Sequence, residues 1–351
     1  MLSLCIIVKN EERVLSKCLN SVKGIVDEIV IVDTGSKDDT KNIALKFTNK
    51  VYDFSWCNDF SKARNFSISK ATNDWILILD ADEVVIDYDI KSINYFLQEV
   101  NNEIVGRLNI INEFEDEFEI KKYTKRVSRI FNKNYFSYKG CIHEQIICND
   151  GKNHNSQDLN LTVNHIGYSK DILKTTNKIE RNISLLNNAL ESNRKDPYLH
   201  YQLGKSYFMN KDYSEAYSSF KKALLLIDDY NYEYVEDLIE SYGYSLIKLN
   251  LFKQALNLIK YEEYYNSSPD FLFLIGLIYM NNGEFQKSVE AFLKCTEFKN
   301  GKVEGINSYL PLYNIGVIFE CLGFESEAIN YYDKCEDYEI AVKRKFSLIN
   351  K

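Results

Sequence analysis

The stretch that decides the fold is Asp74-Trp75-Ile76-Leu77-Ile78-Leu79-Asp80-Ala81-Asp82-Glu83. Its run of large apolar residues predicts a strand that is buried on both faces of a sheet. Two carboxylates, Asp80 and Asp82, follow the strand, and ligands of open α/β sheets bind just outside the carboxyl ends of the strands. Carboxylate oxygens suit Mg²⁺ or Mn²⁺, which can hold a diphosphate. Alone, such a pair of carboxylates is more often a solvated turn, so the prediction of a binding site depends on the motifs elsewhere in the N-terminal half.

The residues before this stretch alternate strand and helix signals. Strands are predicted at 2–8, 28–33, 49–53 and 75–79, and helices at 11–22, 37–47 and 59–71. This alternation predicts a mostly parallel sheet. The second strand also ends in a carboxylate, Asp33, and Ser36 is predicted to cap the helix that follows. From residue 104 to about 165, strand and loop signals replace the helices.

Residues 197–340 carry a helical repeat. A series of small and aromatic residues begins at Leu203-Gly204 and returns at Gly243, Gly276 and Gly316. The offsets match the tetratricopeptide pattern, in which small residues let paired helices pack closely. Three or four such repeats can stack into a short solenoid with a concave face. The aromatic side chains of this region are expected to fill the space between helices.

Composition limits the classes of function. The length of 351 residues predicts two domains, an α/β domain over 1–168 and an all-α repeat domain over 197–351, joined by a linking helix over 169–196. The net charge of −8 argues against a general nucleic-acid binder. The eight cysteines form no Cys-x-x-Cys pair, so we expect reduced thiols. With no signal peptide and no apolar run of about 18 residues, we expect a cytoplasmic protein without membrane insertion.

Four motifs follow one another in the N-terminal half. They are Val8-Lys9-Asn10-Glu11-Glu12, the segment from Asp27 to Thr40, Asp59-Phe60-Ser61-Lys62-Ala63-Arg64-Asn65, and Asp80-Ala81-Asp82-Glu83. In this order they resemble family 2 glycosyltransferases of GT-A fold, over roughly residues 1–168. With the repeats, the chain further resembles the subgroup of sublancin-type peptide S-glycosyltransferases and flagellin-modifying enzymes. The resemblance implies inverting, metal-dependent transfer of GlcNAc or glucose from a UDP-sugar to a Ser, Thr or Cys side chain of a polypeptide.

The resemblance also implies which residues bind the nucleotide. Val8, Asn10 and Glu11, at and after the first strand, would line the nucleotide cleft. Asp33, at the end of the second strand, would accept a hydrogen bond from the base. The structural alternative for Asp33 is an aspartate that only starts the turn at Thr34-Gly35-Ser36.

The sugar and diphosphate are assigned to the third and fourth motifs. Within Asp80-Ala81-Asp82, Asp82 would bind the metal, and Asp80 would bind either the metal or the ribose. Arg64 can contact phosphate or sugar oxygens through two parallel hydrogen bonds, with Lys62 and Asn65 beside it. The structural alternative is that these three side chains form an exposed helical turn.

The acceptor side is assigned to a later segment. Arg129, His143 and Glu144 match the acceptor-side motif of the subgroup, and Glu144 is the candidate base that deprotonates the acceptor. A strand-edge glutamate facing water is the alternative. His165 matches a C-terminal histidine that serves similar enzymes as a further metal ligand, although a structural histidine is the alternative. Carboxylates with one imidazole favour Mn²⁺, with Mg²⁺ also suitable.

Other functions stay open. A lipopolysaccharide-core or other glycan acceptor would fit the first 83 residues but would not require the repeats. A non-catalytic scaffold and a hydrolase with the same metal site are further alternatives. The repeats could bind the polypeptide acceptor or form a homodimer.

Overall fold

A computed structural model of the chain describes residues 1–115, 120–166 and 178–350. The chain divides into two compact units, Met1–Lys178 and Ile179–Lys351. The first unit is α/β and the second is helical, which confirms the predicted fold class. The predicted domain boundary at residue 168 and the beginning of the predicted linking helix lie outside the described residues. The described helix in that region is Lys178–Ser192.

The first unit is built on an eight-stranded, mostly parallel sheet with the order β3-β2-β1-β4-β7-β6-β10-β5. Strands β8 and β9 form a separate hairpin. The strands are β1 (Leu2–Val8), β2 (Glu28–Asp33), β3 (Val51–Asp53), β4 (Trp75–Ile78), β5 (Glu83–Tyr88), β6 (Ile104–Glu115), β7 (Ile120–Asn132), β8 (Phe136–Lys139), β9 (Gln145–Cys148) and β10 (Asn155–His165). The helices are α1 (Leu15–Ser21), α2 (Thr40–Leu45), α3 (Phe60–Lys70) and α4 (Ile90–Glu99).

The central strand is β4, the strand of the decisive stretch. All of its side chains are buried, as the apolar run predicts. It pairs in parallel with β1 on one side and antiparallel with β7 on the other. Burial on both faces of the sheet requires a continuous apolar strand rather than an alternating one.

The helices near the first two strands are shorter than predicted. Helix α2 begins at Thr40, not at Lys37, and its N-cap is Asp39. The prediction that Ser36 caps this helix is therefore wrong. The Ser36 hydroxyl instead donates to the Asp33 carboxylate at 2.6 Å, because a serine three residues after an aspartate can close a turn as well as cap a helix.

The second unit consists of paired helices, as the repeat predicts. They are α5 (Lys178–Ser192), α6 (Pro197–Met209), α7 (Tyr213–Leu226), α8 (Glu233–Lys248), α9 (Phe252–Ala255), α10 (Glu262–Tyr265), α11 (Pro269–Asn281), α12 (Phe285–Cys295), α13 (Tyr309–Cys321), α14 (Glu325–Asp333) and α15 (Glu339–Ile349). The second helix of the second pair is broken, because a 3₁₀ segment at Leu256–Tyr261 separates α9 from α10.

The repeat glycines mark close helix packing. A Cβ added at Gly276 would lie 2.6 Å from the Phe292 ring, and one at Gly204 would lie 2.5 Å from the Phe220 ring. Only glycine therefore fits at these contacts without displacing the ring. Among the residues that the structure describes, no helix is both long and apolar enough to cross a membrane.

Candidate active site

The topology places the predicted site in one crevice. Strand β1 has β2 on one side and β4 on the other, so the strand order reverses beside β1. Ligands of open α/β sheets bind at this reversal, outside the carboxyl ends of the strands. Val8 and Asp33 pair in register at the ends of β1 and β2, and the Asp80-Ala81-Asp82 turn follows β4 on the other side.

The side of the crevice that is predicted to bind the nucleotide is built by two interlocked turns. Asn10 has a left-handed backbone with φ of 57°. Its Oδ1 accepts from the backbone N–H of Lys37 at 2.8 Å, and its own N–H donates to Ser36 Oγ at 2.9 Å. Asp33 Oδ1 accepts from the Ser36 N–H at 3.0 Å. Asp33 thus starts the turn, while its contact with a base stays a prediction.

Glu11 lies beside these turns in a negative environment. Its backbone N–H donates to Thr40 Oγ1 at 2.7 Å. Burial raises the pKa of Glu11 to about 7; the charge of Lys178 opposes this rise, while the nearby charges of Asp82 and Asp80 add to it. The folded chain therefore holds a proton on Glu11 at pH values where an ordinary glutamate is ionised.

This raised pKa predicts a pH-dependent stability. Because the folded-state pKa lies above the ordinary value of 4.5, the folded state binds this proton more tightly, and stability falls as pH rises from 4.5 through about 7. Glu11→Gln removes that titration, so its free energy of unfolding should rise relative to wild type over the same pH interval. Urea titrations of both proteins at several pH values measure the difference. A difference that does not change with pH would contradict the assignment.

Asp80 lies between two guanidinium groups. Arg64 Nη2 donates to Asp80 Oδ1 at 2.7 Å, and Arg129 Nη2 donates to Asp80 Oδ2 at 3.2 Å. Burial alone would raise the pKa of Asp80, but the charges of Arg64 and Arg129 hold it well below its usual range. Both oxygens of this predicted metal or ribose ligand are thus engaged by cations of the chain.

The same network reaches two more carboxylates. Arg64 Nε donates to Glu144, and Arg129 Nη2 donates to Glu83 Oε1 at 2.7 Å. Glu83 closes the turn through its Oε2, which accepts from the Asp80 N–H at 2.8 Å. Arg129, predicted on the acceptor side, therefore lies directly against the Asp80-Ala81-Asp82 turn. Its role towards an acceptor stays a prediction.

Lys62 and Asn65, which flank Arg64 in the third motif, have different surroundings. The Lys62 side chain is 68% exposed and its Nζ lies 3.4 Å from Asp59 Oδ2, as the alternative of an exposed helical turn predicts. Asn65 binds the backbone of β8: its Nδ2 donates to Tyr138 O at 2.8 Å, and its Oδ1 accepts from Tyr138 N at 2.9 Å. Its amide joins α3 to the β8–β9 hairpin.

The predicted base lies in the loop of this hairpin. Glu144 precedes β9, and His143 beside it has a left-handed backbone with φ of 48°. The loop is tied to α3, because the Phe60 N–H donates to the Cys141 carbonyl at 2.8 Å. Glu144 contacts Arg64 through Oε1, and among residues 1–115, 120–166 and 178–350 its Oε2 accepts no hydrogen bond.

Asp82 and His165 form a second cluster. His165 Nε2 lies 3.4 Å from Asp82 Oδ1, and Lys178 Nζ lies 3.5 Å from Asp82 Oδ2. Burial by itself would raise the pKa of Asp82, but the hydrogen bond and charge of His165 lower it below its ordinary value. The register of the sheet explains the pairing, since His165 lies opposite Glu83 and the Ile166 N–H donates to Asp82 O at 2.9 Å.

The donor atoms of this cluster fit a divalent cation. Two ligands at about 2.1 Å from one octahedral ion lie about 3 Å apart, close to the separation of Asp82 Oδ1 and His165 Nε2. Within residues 1–115, 120–166 and 178–350, no group of three His, Cys, Asp or Glu side chains is arranged to hold a metal. Mg²⁺-type ions often take one or two protein ligands and complete their shell with water and phosphate oxygens.

Three residues of the site were not anticipated from the sequence, and the first is Lys178 beside Asp82. The Tyr138 ring lies 5.6 Å from the Arg64 guanidinium carbon. Asn112 is 1% exposed, and its Oδ1 lies 2.9 Å from His165 Nδ1. The only sequence signal for Asn112 is an asparagine in an apolar strand, while Tyr138 has no signal apart from its strand.

Segments of both units match known protein families. Residues 3–154 match the family described as glycosyl transferase family 2. Residues 197–230 and 269–301 match tetratricopeptide repeats.

Two similar proteins come from Synechococcus elongatus and Bacillus subtilis. A TPR repeat-containing protein of Synechococcus elongatus is 31% identical over 231 residues, which are 63% of this chain and 56% of that protein. The SPbeta prophage-derived glycosyltransferase SunS of Bacillus subtilis is 30% identical over 236 residues, 62% of this chain and 52% of that protein. The chain spans about half the length of these curated relatives. The crystal structure of YrrB, described as a TPR protein with an unusual peptide-binding site, gives a TM-score of 0.41 at 25% identity and covers 50% of this chain and 87% of that chain.

Proposed function

Because residues 3–154 match the family described as glycosyl transferase family 2 and matches to tetratricopeptide repeats follow them, we propose that the chain is a cation-dependent glycosyltransferase. Its donor is a UDP-sugar carrying GlcNAc or glucose, and its acceptor is a Ser, Thr or Cys side chain of a polypeptide. The observation that carries the proposal is the pairing of Asp82 with His165 at the carboxyl-end crevice.

In this proposal the residues of the donor site have different roles. Asp82 and His165 would hold Mn²⁺ or Mg²⁺, and the ion would supply Lewis-acid stabilisation of the charge that develops on the departing diphosphate. The turns at Asn10 and Asp33 shape the pocket for the base. Asp80 is not proposed as a metal ligand, because Arg64 and Arg129 bind both its oxygens. It keeps these two guanidinium groups in place beside the diphosphate.

Glu144 is the proposed base. Arg64 holds its carboxylate through Oε1, and Oε2 accepts the proton of the acceptor. A thiol has a lower pKa than a hydroxyl, so a Cys side chain is easier for such a base to deprotonate than Ser or Thr. The tetratricopeptide unit would present the polypeptide, since solenoids of this kind bind extended chains.

Two readouts test this function together. UDP release is measured with Mn²⁺ and each UDP-sugar, with and without peptides that contain Ser, Thr or Cys, and the peptide mass is followed in parallel. We expect UDP release that depends on peptide and a gain of one sugar on the peptide. Release that stays equal without peptide indicates hydrolysis, and transfer to a glycan but not to peptides would replace the acceptor class. No release with any donor would contradict the proposal.

A further inference from the structure

A polar side chain occupies a core position of β6. Along this strand alternate residues face the core, and Leu108 and Ile110 on that face are buried. Asn112 follows on the same face and is 1% exposed. Burying an amide is unfavourable unless its donors and acceptors are paired, so an asparagine at this position has to be explained by its partners.

The partners of Asn112 define its orientation. Its Nδ2 donates to the Ile110 carbonyl at 3.3 Å, and since a carbonyl oxygen only accepts, the nitrogen must lie on that side. Its Oδ1 then lies 2.9 Å from His165 Nδ1, and the register pairs Asn112 with His165 across β6 and β10. An amide oxygen also only accepts, so His165 Nδ1 carries a hydrogen.

The consequence lies at the other ring nitrogen. A neutral imidazole with hydrogen on Nδ1 has a lone pair on Nε2, and Nε2 faces Asp82 Oδ1 at 3.4 Å. Two acceptors in this position require a proton or a cation between them. We infer that Asn112 is a positioning residue that holds His165 as the Nδ1–H tautomer and thereby makes Nε2 a cation ligand beside Asp82. This inference rests on the proposed function for the presence of a divalent cation.

The tautomer can be measured directly. The chain has four histidines, so long-range ¹H–¹⁵N spectra of histidine-labelled protein give four ring patterns, and His165→Gln assigns one of them. At about pH 8 histidine is mostly neutral. We expect His165 to be Nδ1–H, with Nε2 shifting on addition of Mg²⁺ and UDP. An Nε2–H tautomer in the wild-type protein would overturn the inference.

Two variants test the effect on the cation. Asn112→Leu removes the acceptor at similar volume, whereas Asn112→Asp keeps it. Free Mn²⁺ is measured by electron paramagnetic resonance during titration with UDP present. We expect Asn112→Leu to weaken Mn²⁺ binding ten- to hundredfold, as loss of a partner of a ligating histidine does, and Asn112→Asp to stay within a few-fold of wild type. Equal affinity in a folded Asn112→Leu would overturn the inference.

The experiments distinguish failure of the positioning role of Asn112 from failure of the proposed transferase function. If the wild-type protein binds Mn²⁺ in an Asn112-dependent way but transfers no sugar, the positioning role stands and the transferase proposal fails. If it transfers sugar and Asn112→Leu binds Mn²⁺ like wild type, the positioning role fails alone. The wild-type spectrum decides the tautomer even if Asn112→Leu does not fold.

Discussion

Replacing Asp82 with asparagine is expected to lower sugar transfer about a thousandfold while leaving the chain folded. The asparagine keeps the volume of the side chain but removes the negative charge that binds the cation. Loss of a preorganised electrostatic contact to the departing charge typically lowers the rate by about 10²–10³ or more. The measurement is peptide-dependent UDP release at saturating donor, with Mn²⁺ varied.

Asp87→Asn is the matched control for this variant. Asp87 lies on the exposed part of β5, five residues further along the same segment. It removes one carboxylate from the same unit and should leave the transfer rate unchanged. If Asp82→Asn transferred sugar at a rate similar to Asp87→Asn, the assignment of the cation to Asp82 would be wrong.

Replacing Arg64 with methionine is expected to lower the free energy of unfolding of the first unit by about 3 kcal/mol. The change leaves Glu144, whose side chain is 9% exposed, without its cation. Breaking a buried ion pair by removing one partner typically destabilises by about 3–5 kcal/mol. The lower end applies, because Asp80 is 36% exposed and keeps Arg129.

Tryptophan fluorescence isolates the relevant unfolding transition. The two tryptophans, Trp56 and Trp75, both lie in the first unit, so their emission during urea titration reports that unit alone. Lys62→Met on the same helix is the control, and its exposed side chain predicts a change below about 1 kcal/mol. Adding Glu144→Met to Arg64→Met should recover part of the loss, since the unpaired carboxylate is then gone. Equal stability of Arg64→Met and Lys62→Met would contradict the buried network.

The sequence predicts the parts of this structure that depend on local pattern. The apolar run before Asp80 identifies the central strand, because a strand covered on both faces has to be apolar throughout. The glycines of the repeats identify the helix pairs, because ring contacts at Gly276 leave no space for a Cβ. These signals come from spacing along the chain, so they can be recognised without any long-range pairing.

The rest depends on strand register, which spacing does not determine. Ser36 illustrates the limit, since its hydroxyl joins Asp33 rather than the next helix. Arg129 lies against Asp80 only because β7 pairs with β4 in one particular register. Asn112 likewise meets His165 only through the register of β6 with β10. A one-residue slip would turn these side chains to the opposite face of the sheet.

The most direct test of the central claim is the thermal stability of the wild-type chain with a panel of nucleotide-sugars, with and without Mn²⁺. A ligand at about 100 times its Kd adds about 2.7 kcal/mol of stability, which is readily measured. We predict that a UDP-sugar stabilises the first unit only when Mn²⁺ is present, and that Asp82→Asn abolishes this stabilisation. Stabilisation by no nucleotide-sugar, or by one that acts equally without Mn²⁺, would contradict a cation-dependent donor site at Asp82 and His165.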